Sequence, residues 1–237
     1  MPLVLDKKKL YLGAIMLIFF LACIVVVFLP IFNGKTGMQA ADDLFNSLSK
    51  GSSYYIPEVR EEVSQYGEVA LSLTLYIGGE EETGIYERLL KGAGAETQLD
   101  GDILTVRGNL GAITNAALND ADDFFNGRED QVSAKYSTVE ARPIIYHWHK
   151  VFAQVKEHCT HEHMYQESLL ANKVMTKALE PSYNFAGIAS YKVSEKATLT
   201  ACLLIFYLIY TLWYGFGVMF LFEGLGIVVS NGGNKET

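Results

Sequence analysis

The sequence predicts a mainly α-helical protein in which two transmembrane helices flank an extracytoplasmic helical-bundle domain. Three observations lead there. Leu10–Phe32 and Ala197–Val229 are apolar runs longer than the ~20 residues a helix needs to cross a bilayer core, and Glu223 is the one charge within them. The stretch between them is polar and large enough to bury a core of its own. Glycine, proline and capping signals then cut that stretch into helix-length segments. The expected organisation is an N-terminal tail (1–9), a first span (10–32), the extracytoplasmic domain (33–196), a second span (197–229) and a C-terminal tail (230–237).

Orientation follows from the short flanks, where lysine and arginine favour the cytoplasmic side. Lys7, Lys8 and Lys9 precede the first span, and the C-terminal tail holds only Lys235 and Glu236. Both termini are therefore expected in the cytoplasm and the central domain outside the plasma (inner) membrane. A cleaved signal peptide has an apolar region of only ~7 to 15 residues and a small-residue cleavage site. Leu29-Pro30-Ile31-Phe32 is a poor site, so the first helix is read as retained. Residues 33–196 carry 15 Lys and Arg against 24 Asp and Glu, a surface that repels nucleic acid. Cys23 and Cys202 fall within the spans, which leaves Cys159 without a disulfide partner in the domain.

Taken in order, Gly37–Lys50 reads as a short helix stopped at Gly51. Pro57 opens a second, with Glu58, Glu61 and Glu62 in its first turns, expected to run to Ile77 before Gly78-Gly79. Glu80–Lys91 is a third. Residues 97–107 alternate around Leu99, Ile103, Leu104 and Val106 with a tight turn at Asp100-Gly101, at most a minor β element. Asn109 caps a helix running to Asn126, and a long helix is expected from Thr138 to Leu179, before Pro181. The hexapeptide Ala41–Asn46 (ADDLFN) recurs as Ala121–Asn126 (ADDFFN), which suggests a duplicated helical hairpin and hence a four-helix bundle. Ala14, Ala22, Gly217 and Gly224 supply small residues for packing between the spans.

All five histidines lie between His147 and His163. His158, Cys159, His161, Glu162 and His163 fall at helical spacings of three and four, so pairs of them can point at one ion, copper or zinc by ligand type. Along the stripe Trp148, Val151, Phe152, Val155, the positions 158, 159 and 162 turn polar for about one turn, and a buried polar layer needs partners. Asp42, Asp43, Asp122 and Asp123 are candidates to face it. The spacing matches no His-Glu-x-x-His, paired Cys-x-x-Cys or haem-attachment template, and no Gly-x-Ser-x-Gly or phosphate-binding loop occurs. Glu223 lies about 10 Å inside the expected cytoplasmic end of the second span. It marks a proton relay, an ion pair to a partner subunit's helix, or a head-group position reached by tilting.

The expectation that results is a non-enzymatic accessory or scaffold protein whose external domain binds another membrane or extracytoplasmic protein, or a ligand. No cofactor is certain on this reading, copper and zinc being the candidates; the protein is expected to act at the membrane without nucleic acid and is compatible with a homo-oligomer. A copper- or zinc-binding, redox-associated protein using residues 158–163 is one alternative. The other is a ligand sensor: the layout resembles bacterial receptor ectodomains in outline, and with such short tails its signal needs a partner.

Overall fold

The computed structural model describes residues 5–137 and 139–227. The expected C-terminal tail with Lys235 and Glu236 lies outside the described residues, as do Val228 and Val229 of the second apolar run and Thr138. In chain order the elements are α1 (Lys7–Phe28), α2 (Gly37–Ser52), α3 (Ile56–Val63), β1 (Ala70–Tyr76), α4 (Glu80–Gly92), β2 (Glu96–Asp100) and β3 (Ile103–Asn109). There follow α5 (Leu110–Phe125), α6 (Glu129–Lys135), α7 (Ala141–His161), α8 (Tyr165–Lys173), a π-helical turn (Val174–Leu179), α9 (Glu180–Asn184) and α10 (Val193–Gly224). The protein is mainly helical with one small sheet, and it divides into two compact units: residues 1–45 with 191–237, and residues 46–190.

The first unit is organised by α1 and α10, both long and apolar enough to cross a membrane. Asp6 starts α1 by accepting hydrogen bonds from the amides of Lys8 and Lys9, at 2.9 and 3.2 Å. The two helices pack where glycine removes the side chain. A Cβ on Gly13 would lie 2.5 Å from the Leu221 nitrogen, and one on Gly224 2.5 Å from the Leu10 nitrogen, so only a bare Cα allows these backbones to meet. Across the same seam Phe20 stacks on Tyr210, and the Trp213 indole N–H donates to the Met16 carbonyl at 3.0 Å. Of the expected small residues, Gly217 and Gly224 sit in the contact. The outward side chains, Ile15, Ile18, Phe19, Leu208 and Ile209 among them, are exposed.

The second unit differs from a bundle of helices alone, because a three-stranded antiparallel sheet of order β1-β3-β2 shares its core. The largest correction is β1. Residues 70–76 read Ala-Leu-Ser-Leu-Thr-Leu-Tyr, and their exposure alternates strictly, Leu71, Leu73 and Leu75 inside and Ser72, Thr74 and Tyr76 outside. The helix opened by Pro57 therefore ends near Tyr66 instead of Ile77. β2 and β3 form the expected hairpin, with Gly101 at φ +59° in the two-residue connection. Asn109 caps α5 as expected, its side chain accepting from the Ala112 amide at 2.8 Å.

The long helix expected up to Leu179 is broken. α7 ends at His161, and His163 adopts a left-handed φ of +59°. Met164 N then donates to Cys159 O at 2.8 Å and His163 N to Thr160 O at 3.3 Å, a Schellman closure with histidine where glycine is usual. α8 folds back along α7, with the Thr160 and Ser168 hydroxyls 2.8 Å apart. The hexapeptide echo does not extend into its surroundings. Ala41–Asn46 lies inside α2 whereas Ala121–Asn126 ends α5, and the strand at 70–76 falls opposite helix α7 at the same offset.

Candidate functional site

The residues expected to hold a metal are dispersed by the helix end they occupy. Cys159 is fully buried and continues the apolar stripe of Val151, Phe152 and Val155. His158 is half-buried, while His161, Glu162 and His163 are exposed. The polar layer inferred in the core-facing stripe is thus not there: position 158 lies at its margin, and position 162 falls where the helix has already ended. His161 lies 3.9 Å from Glu157, both exposed, and the His163 ring meets the Tyr165 hydroxyl at 2.9 Å. Among the described residues no group of three or more His, Cys, Asp or Glu side chains is placed to hold a metal ion. Burial, assisted by the charge of Glu167, pushes the Cys159 thiol up to about 11, which keeps it protonated and a poor ligand. An open recess of about 370 Å³ beside His161, Lys156 and Met175 is too exposed to strip water from a bound group.

Glu223 has a partner inside its own unit, 2.8 Å from Lys9 Nζ. Of the readings of this carboxylate, an ion pair is thus met by Lys9 of the same chain.

The principal buried polar site is Asp120, which the sequence reading missed. It is 1% exposed, on the inner face of α5. Its carboxylate accepts from Tyr136 Oη at 2.5 Å, Trp148 Nε1 at 2.8 Å and Lys135 Nζ at 3.0 Å, tying α5 to α6 and α7. Lys135 also reaches Asp123 at 2.8 Å, and Arg128 binds Asp123 at 2.9 Å and Asp122 at 3.2 Å. Burial would raise Asp123, but its hydrogen bonds from Lys135 and Arg128 outweigh it and hold the carboxyl below the ordinary range. Burial and the adjoining Asp120 charge push Tyr136 up, so it stays a neutral donor. Asp122 and Asp123, candidates to face the histidines, are committed here instead, and Asp43 pairs with Lys35.

A second cluster joins α4 to α7. Glu82 binds Lys150, accepts from the Gly78 amide at 2.8 Å and lies 3.8 Å from Nδ1 of the buried His147. The Lys150 hydrogen bond, against the opposing effect of burial, holds Glu82 below the usual carboxylate range. His147 is packed edge-on to Tyr86 and Tyr146. Both clusters neutralise acids with neighbouring cations and lock helices together.

The two edges of the sheet are treated differently. At β1, the Gln154 side chain from α7 accepts from Tyr76 N at 2.8 Å and donates to Tyr76 O at 3.1 Å, closing the end of that edge as a strand residue would. Among the described residues nothing comparable occurs at β2. Asp100 and Ile103 flank the two-residue turn and exchange ladder bonds, so Glu96, Gln98 and Asp100 bond inward to β3 while the backbone groups of Thr97 and Leu99 face outward. Compared with known protein families, with characterised proteins and with solved structures, the chain matches none of them.

Proposed function

We propose that this protein is a membrane-anchored accessory or scaffold component: α1 and α10 cross the plasma membrane as an antiparallel pair, and the unit of residues 46–190 works outside it by docking a partner. The observation that carries this reading is the glycine seam between two apolar helices whose outward side chains are exposed. An exposed apolar surface on that scale marks a membrane or protein contact, and its extent along both helices favours the membrane. α1 is ~33 Å long at 1.5 Å per residue, enough for the hydrocarbon core. Lys9 and Glu223 sit together at one end of the pair, which supports a common depth for that end, and Lys7 to Lys9 favour the cytoplasmic face. The polar clusters of the second unit are engaged in joining α4, α5, α6 and α7, which supports a rigid docking body.

Alkaline carbonate washing and external proteolysis of sealed cells test the reading. The intact chain stays in the membrane pellet and its central region is cut from outside. Release into the supernatant, or protection of the centre, overturns it. Affinity purification in mild detergent with elemental analysis then distinguishes a stoichiometric protein partner from a stoichiometric metal.

A further inference from the structure

The outer edge of β2 is open, and the chemistry around it is distinctive. Among the described residues, the outward amides and carbonyls of Thr97 and Leu99 make no hydrogen bond. At the opposite edge α7 closes the end residue Tyr76 through Gln154, whereas no such contact meets β2 among the described residues. Side chains repeat the message. Leu75, Leu104 and Leu99 form one cross-strand row on the buried face, and their exposures run 0%, 0% and 45%. The apolar layer thus stops one strand short of being covered. On the other face of β2, Glu96 and Asp100 are exposed, Asp102 follows in the turn, and Arg107, opposite Glu96, is the one nearby cation in the ladder.

These features disfavour a second copy in the fully bonded register. The two-fold antiparallel pairing that uses all four outward backbone groups is centred on Gln98, and it sets Glu96 directly against Asp100 of the other copy, twice. Like charges directly opposite on one face are destabilising. The same acids attract a strand of opposite charge.

We propose that β2 accepts, by antiparallel strand addition, an extended segment of a partner protein that alternates basic and apolar residues. The basic side chains lie over Glu96 and Asp100, the apolar ones complete the leucine row beside Leu99, and the backbone bonds to Thr97 and Leu99. This rests on the reading that the 46–190 unit docks a partner, and it names the surface and the partner's chemistry.

The test uses the full chain in nanodiscs and a capped peptide with the core Lys-Val-Thr-Val-Lys, compared with Glu-Val-Thr-Val-Glu. The lysine peptide is expected to slow hydrogen exchange at the Thr97 and Leu99 amides about tenfold, more weakly as salt rises, and the glutamate peptide to leave them unchanged. In the double variant Glu96→Lys, Asp100→Lys, whose substitutions are exposed, the preference reverses to the glutamate peptide. No slowing by either peptide at millimolar concentration, equal slowing by both, or a preference that does not reverse overturns the proposal. A chain that fails carbonate retention yet shows the reversal loses its anchor and keeps this site. A retained chain without the reversal keeps the anchor and loses the site.

Discussion

Replacing Asp120 by alanine tests whether one buried carboxylate holds three helices of the 46–190 unit together. The substitution removes the acceptor of Tyr136 Oη and Trp148 Nε1, both in the core, and one of two acceptors of the half-exposed Lys135. Each buried donor left without a partner costs about 1–3 kcal/mol, while Lys135 keeps Asp123 and contributes less than about 1. The sum is about 4 kcal/mol, a large share of the 5–15 kcal/mol typical of a domain. With a urea dependence near 2 kcal/mol per molar, the unfolding midpoint falls by about 2 M. The chain has two tryptophans, so the transition is followed in mild detergent by Trp148 emission in a Trp213→Phe background. Tyr136→Phe removes one donor and leaves the carboxylate two, so its shift is less than half as large. A shift below about 0.5 M for Asp120→Ala, or one no greater than that of Tyr136→Phe, would refute the reasoning.

Four further outcomes are expected. His163→Gly relieves a left-handed backbone at a helix end, and urea unfolding should show a gain of about 1 kcal/mol; a loss would mean that the ring contributes more than its conformation costs. Asp123 and Glu82 titrate below unfolded carboxylates in the fold, so their stabilisation is complete above the unfolded pKa of ~4 and is lost as pH falls through their folded values; Asp123→Asn should flatten that part of an acid-unfolding curve followed by circular dichroism. In a Cys23→Ala, Cys202→Ala background, a water-soluble maleimide should leave Cys159 unlabelled at neutral pH until the protein is denatured, then label it fully, as mass spectrometry will show. Gly13→Val forces α1 away from Leu221 and breaks the Trp213–Met16 hydrogen bond, which should alter Trp213 emission in a bilayer while the circular dichroism of the 46–190 unit is kept.

Legibility in the sequence tracked the range of the interactions concerned. The two apolar helices, the Asn109 cap and the β2–β3 hairpin depend on neighbours a few residues apart, and each was readable. β1 was lost although Leu71, Leu73 and Leu75 alternate perfectly, because the acidic start of α3 and the Gly78-Gly79 stop framed a plausible helix around them. The break at His163 carried no glycine to announce it; the cue was Met164, whose contact with the core at the Cys159 level completes the closure. A polar residue in an apolar stripe does mark a buried site, and His158 is the wrong residue for that criterion. Asp120, between Ala117, Ala121 and Phe124, met it, and the indole N–H of a core tryptophan already called for an acceptor. What sequence could not supply was the pairing itself, since Trp148 lies 28 positions away.

The Lys9–Glu223 clasp joins residues at opposite limits of the described chain, roughly two hundred positions apart. During synthesis α1 leaves the ribosome long before α10 exists, so Gly13 spends that interval without the helix that fits it. In the proposed topology the intervening unit has time to cross and fold while tethered by a single leash. Closure of the seam is then the last assembly event, and on that topology its completion reports that everything between the two helices has been delivered to the same side.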